Sequence, residues 1–125
     1  MVNDYYDPRI KEARLELLHK TANELRIDFV SIQKDLADQD AVTACFNKHR
    51  FDRVIHLAAQ AGVRYSLKNP HAYVHSNLVA FTNILEACRR NDVKHLVYAS
   101  SSSVYGNTSE VPFSESDRVD EPVTL

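Results

Sequence analysis

Apolar residues recur along this chain in two alternating rhythms, one at helical spacing and one in short, nearly continuous runs. Asp7-Pro8 opens the first helical stretch, since an Asp side chain caps free backbone N–H groups and proline at the first helical position forfeits no hydrogen bond. Ile10, Ala13, Leu17, Leu18 and Thr21 then fall at helical intervals and predict a helix to about Asn23. Ile27-Asp-Phe-Val-Ser-Ile32 is rich in β-branched residues and predicts a strand. Asp38 caps a second helix, with Val42, Cys45 and Phe46 on its inner side and an end near His49. Arg53-Val-Ile-His-Leu57 predicts a strand buried on both faces. Asn69-Pro70 repeats the cap-and-proline start of a long helix reaching about Arg90. Its stripe is Val74, Leu78, Phe81, Leu85 and Cys88, and Arg89 and Arg90 complement its C-terminal dipole. His95-Leu-Val-Tyr-Ala99 reads as a last strand, followed by a polar, turn-rich tail from Ser100.

Strands alternating with helices imply right-handed crossovers and a parallel sheet covered on both faces, an α/β doubly wound fold. Such a fold opens on a strand, whereas this chain opens before a helix and leaves its last loop unclosed. That pattern is expected of a piece cut from a larger domain.

Composition narrows the classes. With 125 residues the chain holds one domain at most, and 44% apolar and 26% charged residues are ordinary for a globular protein. The net charge of −2 points to neither nucleic acid nor an anionic membrane as partner. No apolar run reaches transmembrane length and the N-terminus has no secretory pattern, so a cytoplasmic protein is expected. Cys45 and Cys88 fall in helical patterns and read as small buried residues, not as a disulfide. Cys88 has no adjacent base to make it a nucleophile. His71 and His75 lie i, i+4 on one helix, but no third ligand sits at a metal spacing, so no metal is expected.

Chemistry gathers at the expected strand ends. Parallel strands would bring Lys34-Asp35-Leu36, Ala58-Ala-Gln60 and the run Ser100–Ser103 to one edge, where ligands bind in open α/β sheets. Two alanines let a flat ligand approach the backbone, Gln60 offers an amide, and Asp35 can accept from an exocyclic amine such as that of adenine. Serine hydroxyls can donate to, or accept from, a substrate oxygen. Each feature also has a plainer use: a serine turn, a loop acid ahead of a helix, tight packing at a strand end. Only two glycines, Gly62 and Gly106, are present, and neither belongs to a glycine-rich phosphate loop.

His56-Leu-Ala-Ala-Gln-Ala-Gly-Val-Arg-Tyr-Ser66, Asn69-Pro70 and Tyr98-Ala-Ser-Ser-Ser-Ser-Val-Tyr-Gly106 together resemble the nucleotide-sugar epimerases of the extended short-chain dehydrogenase/reductase family. The Gln60–Ser66 segment and the opening Asn3-Asp-Tyr-Tyr-Asp7 are most similar to the UDP-glucuronate 4-epimerase branch. The resemblance runs from Asn3 to Leu125 and implies that residues 1–125 are the central part of an NAD-binding Rossmann domain. That partial Rossmann-like sheet would lack its first strand and glycine-rich turn.

By position, the resemblance implies that Asp35 and Leu36 flank adenine. Leu57, Ala58, Ala59 and Gln60 would line the nicotinamide-ribose and pyrophosphate side of NAD. Ser76 stands where relatives often carry an Asn touching the cofactor, and Asn77 matches the family pattern. Aligning on Val104-Tyr105-Gly106 makes Ser101 the catalytic serine, with Ser100 on the cofactor side and Ser102 on the substrate side. Arg64 would face the sugar and hold a carboxylate, which guanidinium forks match in a bidentate way. The implied chemistry is C4 epimerisation of a nucleotide sugar, expected to be UDP-glucuronate, through a 4-keto intermediate in a homodimeric parent enzyme. The glycine turn would lie before Met1 and the Tyr-x-x-x-Lys pair after Leu125, so the isolated chain is expected to bind NAD weakly or not at all and to be inactive. Another epimerase or a 4,6-dehydratase is the alternative within the family, although the serine loop carries no acid. A non-catalytic Rossmann module is the alternative outside it.

Overall fold

The computed structural model describes residues 6–107 and 111–120. Asn3, Asp4 and Tyr5 of the opening motif, and residues 121–125, lie outside the described residues. The chain divides into two compact units, 1–35 and 36–125.

The first unit is built on α1 (Pro8–Leu25). Asp7 caps it as expected, its carboxylate accepting from the Arg9 N–H at 3.0 Å. Arg26 closes it in the left-handed conformation (φ 54°), and the Ile27 N–H returns to the Ala22 carbonyl at 2.9 Å. The strand expected over 27–32 does not form. A strand exists only by hydrogen bonding to a neighbour, and the one sheet among the described residues has two strands, both in the second unit. Residues 27–32 lie instead beside α1: His19 Nε2 bonds Ser31 Oγ at 3.0 Å, and its ring meets Phe29 edge-on at 5.0 Å.

The second unit is an α/β layer pair. Asp38 caps α2 (Gln39–His49), accepting from the Ala41 N–H at 3.0 Å. β1 (Arg53–His56) then runs parallel to β2 (His95–Tyr98), pairing Val54 with Leu96 and His56 with Tyr98. The ladder continues past the strand ends through Ala99 N–H to the His56 carbonyl at 3.1 Å. A one-turn helix, α3 (Val63–Ser66), follows β1. The long helix is continuous over 70–90, but in three parts: α4 (Pro70–Tyr73), a π-helical segment (Val74–Val79) and α5 (Ala80–Arg90).

Burial is one-sided. Val42 and Phe46 of α2 pack with Ile84, Ala87 and Cys88 of α5, and half-buried Val54 and Leu96 close the cluster from the sheet. Their neighbours Ile55 and Val97 point to the other face and stay 69% and 45% exposed. β1 is therefore not buried on both faces as expected, because helices of this unit cover only one. Within 70–90 the expected stripe holds at Cys88, which is buried, and at half-buried Phe81, but Val74, Leu78 and Leu85 are exposed while Ala80, Ile84 and Ala87 are buried. The π segment advances its hydrogen bonds to i→i+5, so a count at 3.6 residues per turn loses register across it. Cys88 is buried and Cys45 half-buried; both are free thiols, and burial pushes the Cys88 thiol up.

Candidate functional site

A cavity of about 520 Å³ opens where β1 and β2 end. One wall is the chain leaving β1, from Leu57 to Val63. The other is the chain leaving β2, with Ser100, Ser101 and Ser103. Parallel pairing makes this juxtaposition, since strands in the same direction deliver their following loops to the same edge.

The back of the cavity is aromatic. His56 stacks on Phe81 with centroids 5.2 Å apart, and Phe81 meets Tyr98 at 5.1 Å. His56 is only 8% exposed, and burial holds its imidazole below the ordinary histidine range, favouring the neutral ring.

The β1 wall is held from the long helix. The Gln60 N–H donates to Asn77 Oδ1 at 2.8 Å, and Asn77 Nδ2 donates back to the Gln60 carbonyl at 3.0 Å. The Tyr73 hydroxyl reaches the Ala61 carbonyl at 3.0 Å and the Gly62 carbonyl beside it. Gly62 takes φ 103°, a backbone region open to glycine.

On the β2 wall, Ser101 caps a 3₁₀ turn (Ser102–Tyr105), its Oγ accepting from the Ser103 N–H at 3.2 Å. That bond uses a lone pair of the hydroxyl and leaves its proton to be directed elsewhere.

Of the residues singled out in the sequence, Leu57, Ala58, Ala59, Gln60, Asn77, Ser100 and Ser101 line the cavity. Ser76, Ser102 and Arg64 do not; Arg64 is exposed on α3, between the lining residues Val63 and Ser66. Leu36 packs against the α2–α5 core, and its carbonyl accepts from Asn83 Nδ2 at 2.9 Å. Asp35 belongs to the first unit. The expected meeting of three strand ends is therefore reduced to two, because 27–32 is not a strand. Sequence reading named Ser103 only as part of the run Ser100–Ser103 and missed Tyr73 and Phe81 as lining residues. Among the described residues no group of three or more His, Cys, Asp or Glu could hold a metal ion.

Residues 4–123 match the family described as GDP-mannose 4,6 dehydratase. The chain belongs to the NAD-dependent epimerase/dehydratase family. It is 50% identical over 124 residues to an uncharacterised 37.6 kDa protein of Escherichia coli, covering 99% of this chain and 35% of that protein. It is likewise 50% identical to UDP-glucuronate 4-epimerase 1 of Arabidopsis thaliana, covering 98% of this chain and 28% of that enzyme. The UDP-Glc/GlcNAc 4-epimerase of Campylobacter jejuni superposes with a TM-score of 0.73 at 29% identity, over 83% of this chain and 31% of that one. This member of the epimerase/dehydratase family thus spans about a third of the length of the relatives it matches. The α/β, Rossmann-like class read from the sequence holds, with two parallel strands formed among the described residues.

NAD is the cofactor of this family, as a UDP-glucose 4-epimerase of Thermus thermophilus solved with NAD illustrates. The cavity fits part of such a group. Leu57, Ala58 and Ala59 present small, apolar surface to it, which suits a flat ring and its ribose. No glycine-rich turn for a diphosphate stands among the described residues, since Gly62 and Gly106 lie far apart in the chain.

Proposed function

We propose that this chain forms the middle of the nucleotide-binding domain of a cytoplasmic, homodimeric UDP-sugar 4-epimerase acting on UDP-glucuronate. The observation that carries the reading is the single cavity joining Leu57–Gln60 to Ser100 and Ser101, combined with half-identity to a UDP-glucuronate 4-epimerase. Leu57, Ala58 and Ala59 would lie along NAD, with Gln60 beyond them and Ser100 opposite. NAD, when bound, supplies reversible uptake of the C4 hydride. Ser101 would donate a hydrogen bond from its hydroxyl to the C4 oxygen of the sugar and keep its own proton, one lone pair already accepting from the Ser103 N–H. Arg64 would hold the hexuronate carboxylate and Ser102 a neighbouring hydroxyl, which requires α3 to turn Arg64 toward the cavity. Asp35 and Leu36 would serve the adenine end. The 4,6-dehydratase reading rests on the family description, but residues 100–103 offer hydroxyls where acid chemistry needs a carboxyl group.

The reading is tested by exchanging this chain for the matching 124 residues of an active UDP-glucuronate 4-epimerase. The exchanged enzyme should turn over UDP-glucuronate in preference to UDP-glucose and GDP-mannose. Ser101→Ala should then lower kcat about a hundredfold or more with little change in KM. Preference for another nucleotide sugar would overturn the substrate, and an unchanged kcat would overturn the role of Ser101. The isolated chain should show no turnover and no micromolar NAD binding by calorimetry.

A further inference from the structure

We infer that Tyr73 is a positioning residue, whose hydroxyl sets the turn that walls the cavity and carries Arg64. The ligand part of this inference rests on the proposed nucleotide-sugar reading. Two successive carbonyl oxygens, of Ala61 and Gly62, converge on the one hydroxyl. Their dipoles repel when aimed at a common point, so the arrangement needs a donor there. Gln60 Nε2 adds a second donor to the Ala61 carbonyl at 3.2 Å. The Gly62 carbonyl in turn accepts from the Tyr65 N–H at 3.1 Å, which starts α3. Tyr73 therefore acts on α3 through the oxygen that begins it.

Position along the helix makes the hold specific. Asn77 fastens Gln60, where the chain leaves β1, and Tyr73 fastens the next two residues from the same helix. The Tyr73 ring lies 6.2 Å from that of Tyr65, whose hydroxyl accepts from Asn69 Nδ2 at 3.2 Å. The turn is thus gripped at its start, middle and end, while Arg64 between the grips stays exposed. One short turn of helix has little stability of its own, so its direction depends on these contacts.

Tyr73→Phe keeps the ring against Tyr65 and removes only the hydroxyl. Hydrogen exchange of the full chain should speed up about tenfold at the amides of 63–66 and stay unchanged in α2 and α5. Unchanged exchange at 63–66, or an equal rise throughout the core helices, would overturn the inference. Should the variant fail to fold, the Tyr73 hydroxyl proton of the unsubstituted chain supplies the second measurement. Held against the two carbonyls, it should exchange with water slowly enough to give its own resonance, and exchange as fast as that of free tyrosine would overturn the inference. In the enzyme that carries this chain in exchange, Tyr73→Phe should raise the KM for UDP-glucuronate with little change in kcat. An unchanged KM would overturn the positioning role. A loosened turn in an exchanged enzyme that turns over no UDP-glucuronate with either residue would keep the clamp and remove the nucleotide-sugar reading.

Discussion

The Asn77 carboxamide takes the place of a strand beside Gln60, accepting its N–H at 2.8 Å and donating to its carbonyl at 3.0 Å. Parallel neighbours bond both backbone groups of one residue in the same way, so Asn77 satisfies Gln60 where β1 has already ended. The complementary bonds also settle which end of the amide is nitrogen. Asn77→Asp replaces the donor with a second acceptor facing the Gln60 carbonyl. It should lower stability by about 1–3 kcal/mol, read as a lower denaturant midpoint at unchanged slope.

His56 gives the fold a pH dependence. Burial lowers its folded pKa, while the unfolded chain takes up the proton near pH 6.5. Between the two values the unfolded state binds more protons, so stability rises with pH. The contribution is complete above about pH 6.5 and is lost as pH falls through the folded value. Thermal melts from about pH 7.5 to about pH 5 should show this loss, and His56→Phe, which keeps a ring on Phe81, should flatten it. An identical profile in the variant would remove His56 as its source.

One-sided burial predicts two very different costs. Phe46 is 5% exposed and meets Phe51 edge-on at 5.1 Å, so Phe46→Ala should cost about 3–5 kcal/mol. Against a typical total of about 5–15 kcal/mol, that is enough to weaken or abolish a cooperative melt. Ile55, 69% exposed on the open face, should tolerate Ile55→Ala within about 0.5 kcal/mol. Comparable losses at both positions would mean that the second face is covered in solution.

Helix ends offer a stabilising change. Arg26, Arg50 and Asp92 adopt positive φ at the ends of α1, α2 and α5, a region that costs little only for glycine. Arg50 returns its N–H to the Phe46 carbonyl at 2.9 Å, a bond that glycine retains. Arg50→Gly should therefore raise the melting temperature, by up to about 1 kcal/mol in stability after glycine's larger unfolded entropy is deducted.

Local rules were legible in the residues alone wherever the interaction was local. Asp7, Asp38 and Asn69 cap helices because each side chain reaches its own first turn, whatever lies further off. The parallel pairing of 53–56 with 95–98 followed from alternation, since an intervening helix forces a crossover. Ala58–Gln60 and the serine run were expected at one edge because strand ends are where a parallel sheet exposes its loops, whereas Leu57 and Ser101 were singled out by the resemblance alone. Tertiary structure decided the rest. Residues 27–32 have strand composition, but a strand needs a partner, and the sheet among the described residues has two strands. Val74 and Leu78 stay exposed while Ala80 and Ile84 are buried, because the face that α5 buries is chosen by its packing against α2. In the sequence Tyr73 reads as a helical residue, and Asn77 is singled out only by the family resemblance. Only folding brings them against a backbone a dozen or more residues away, where their polar groups hold the cavity wall.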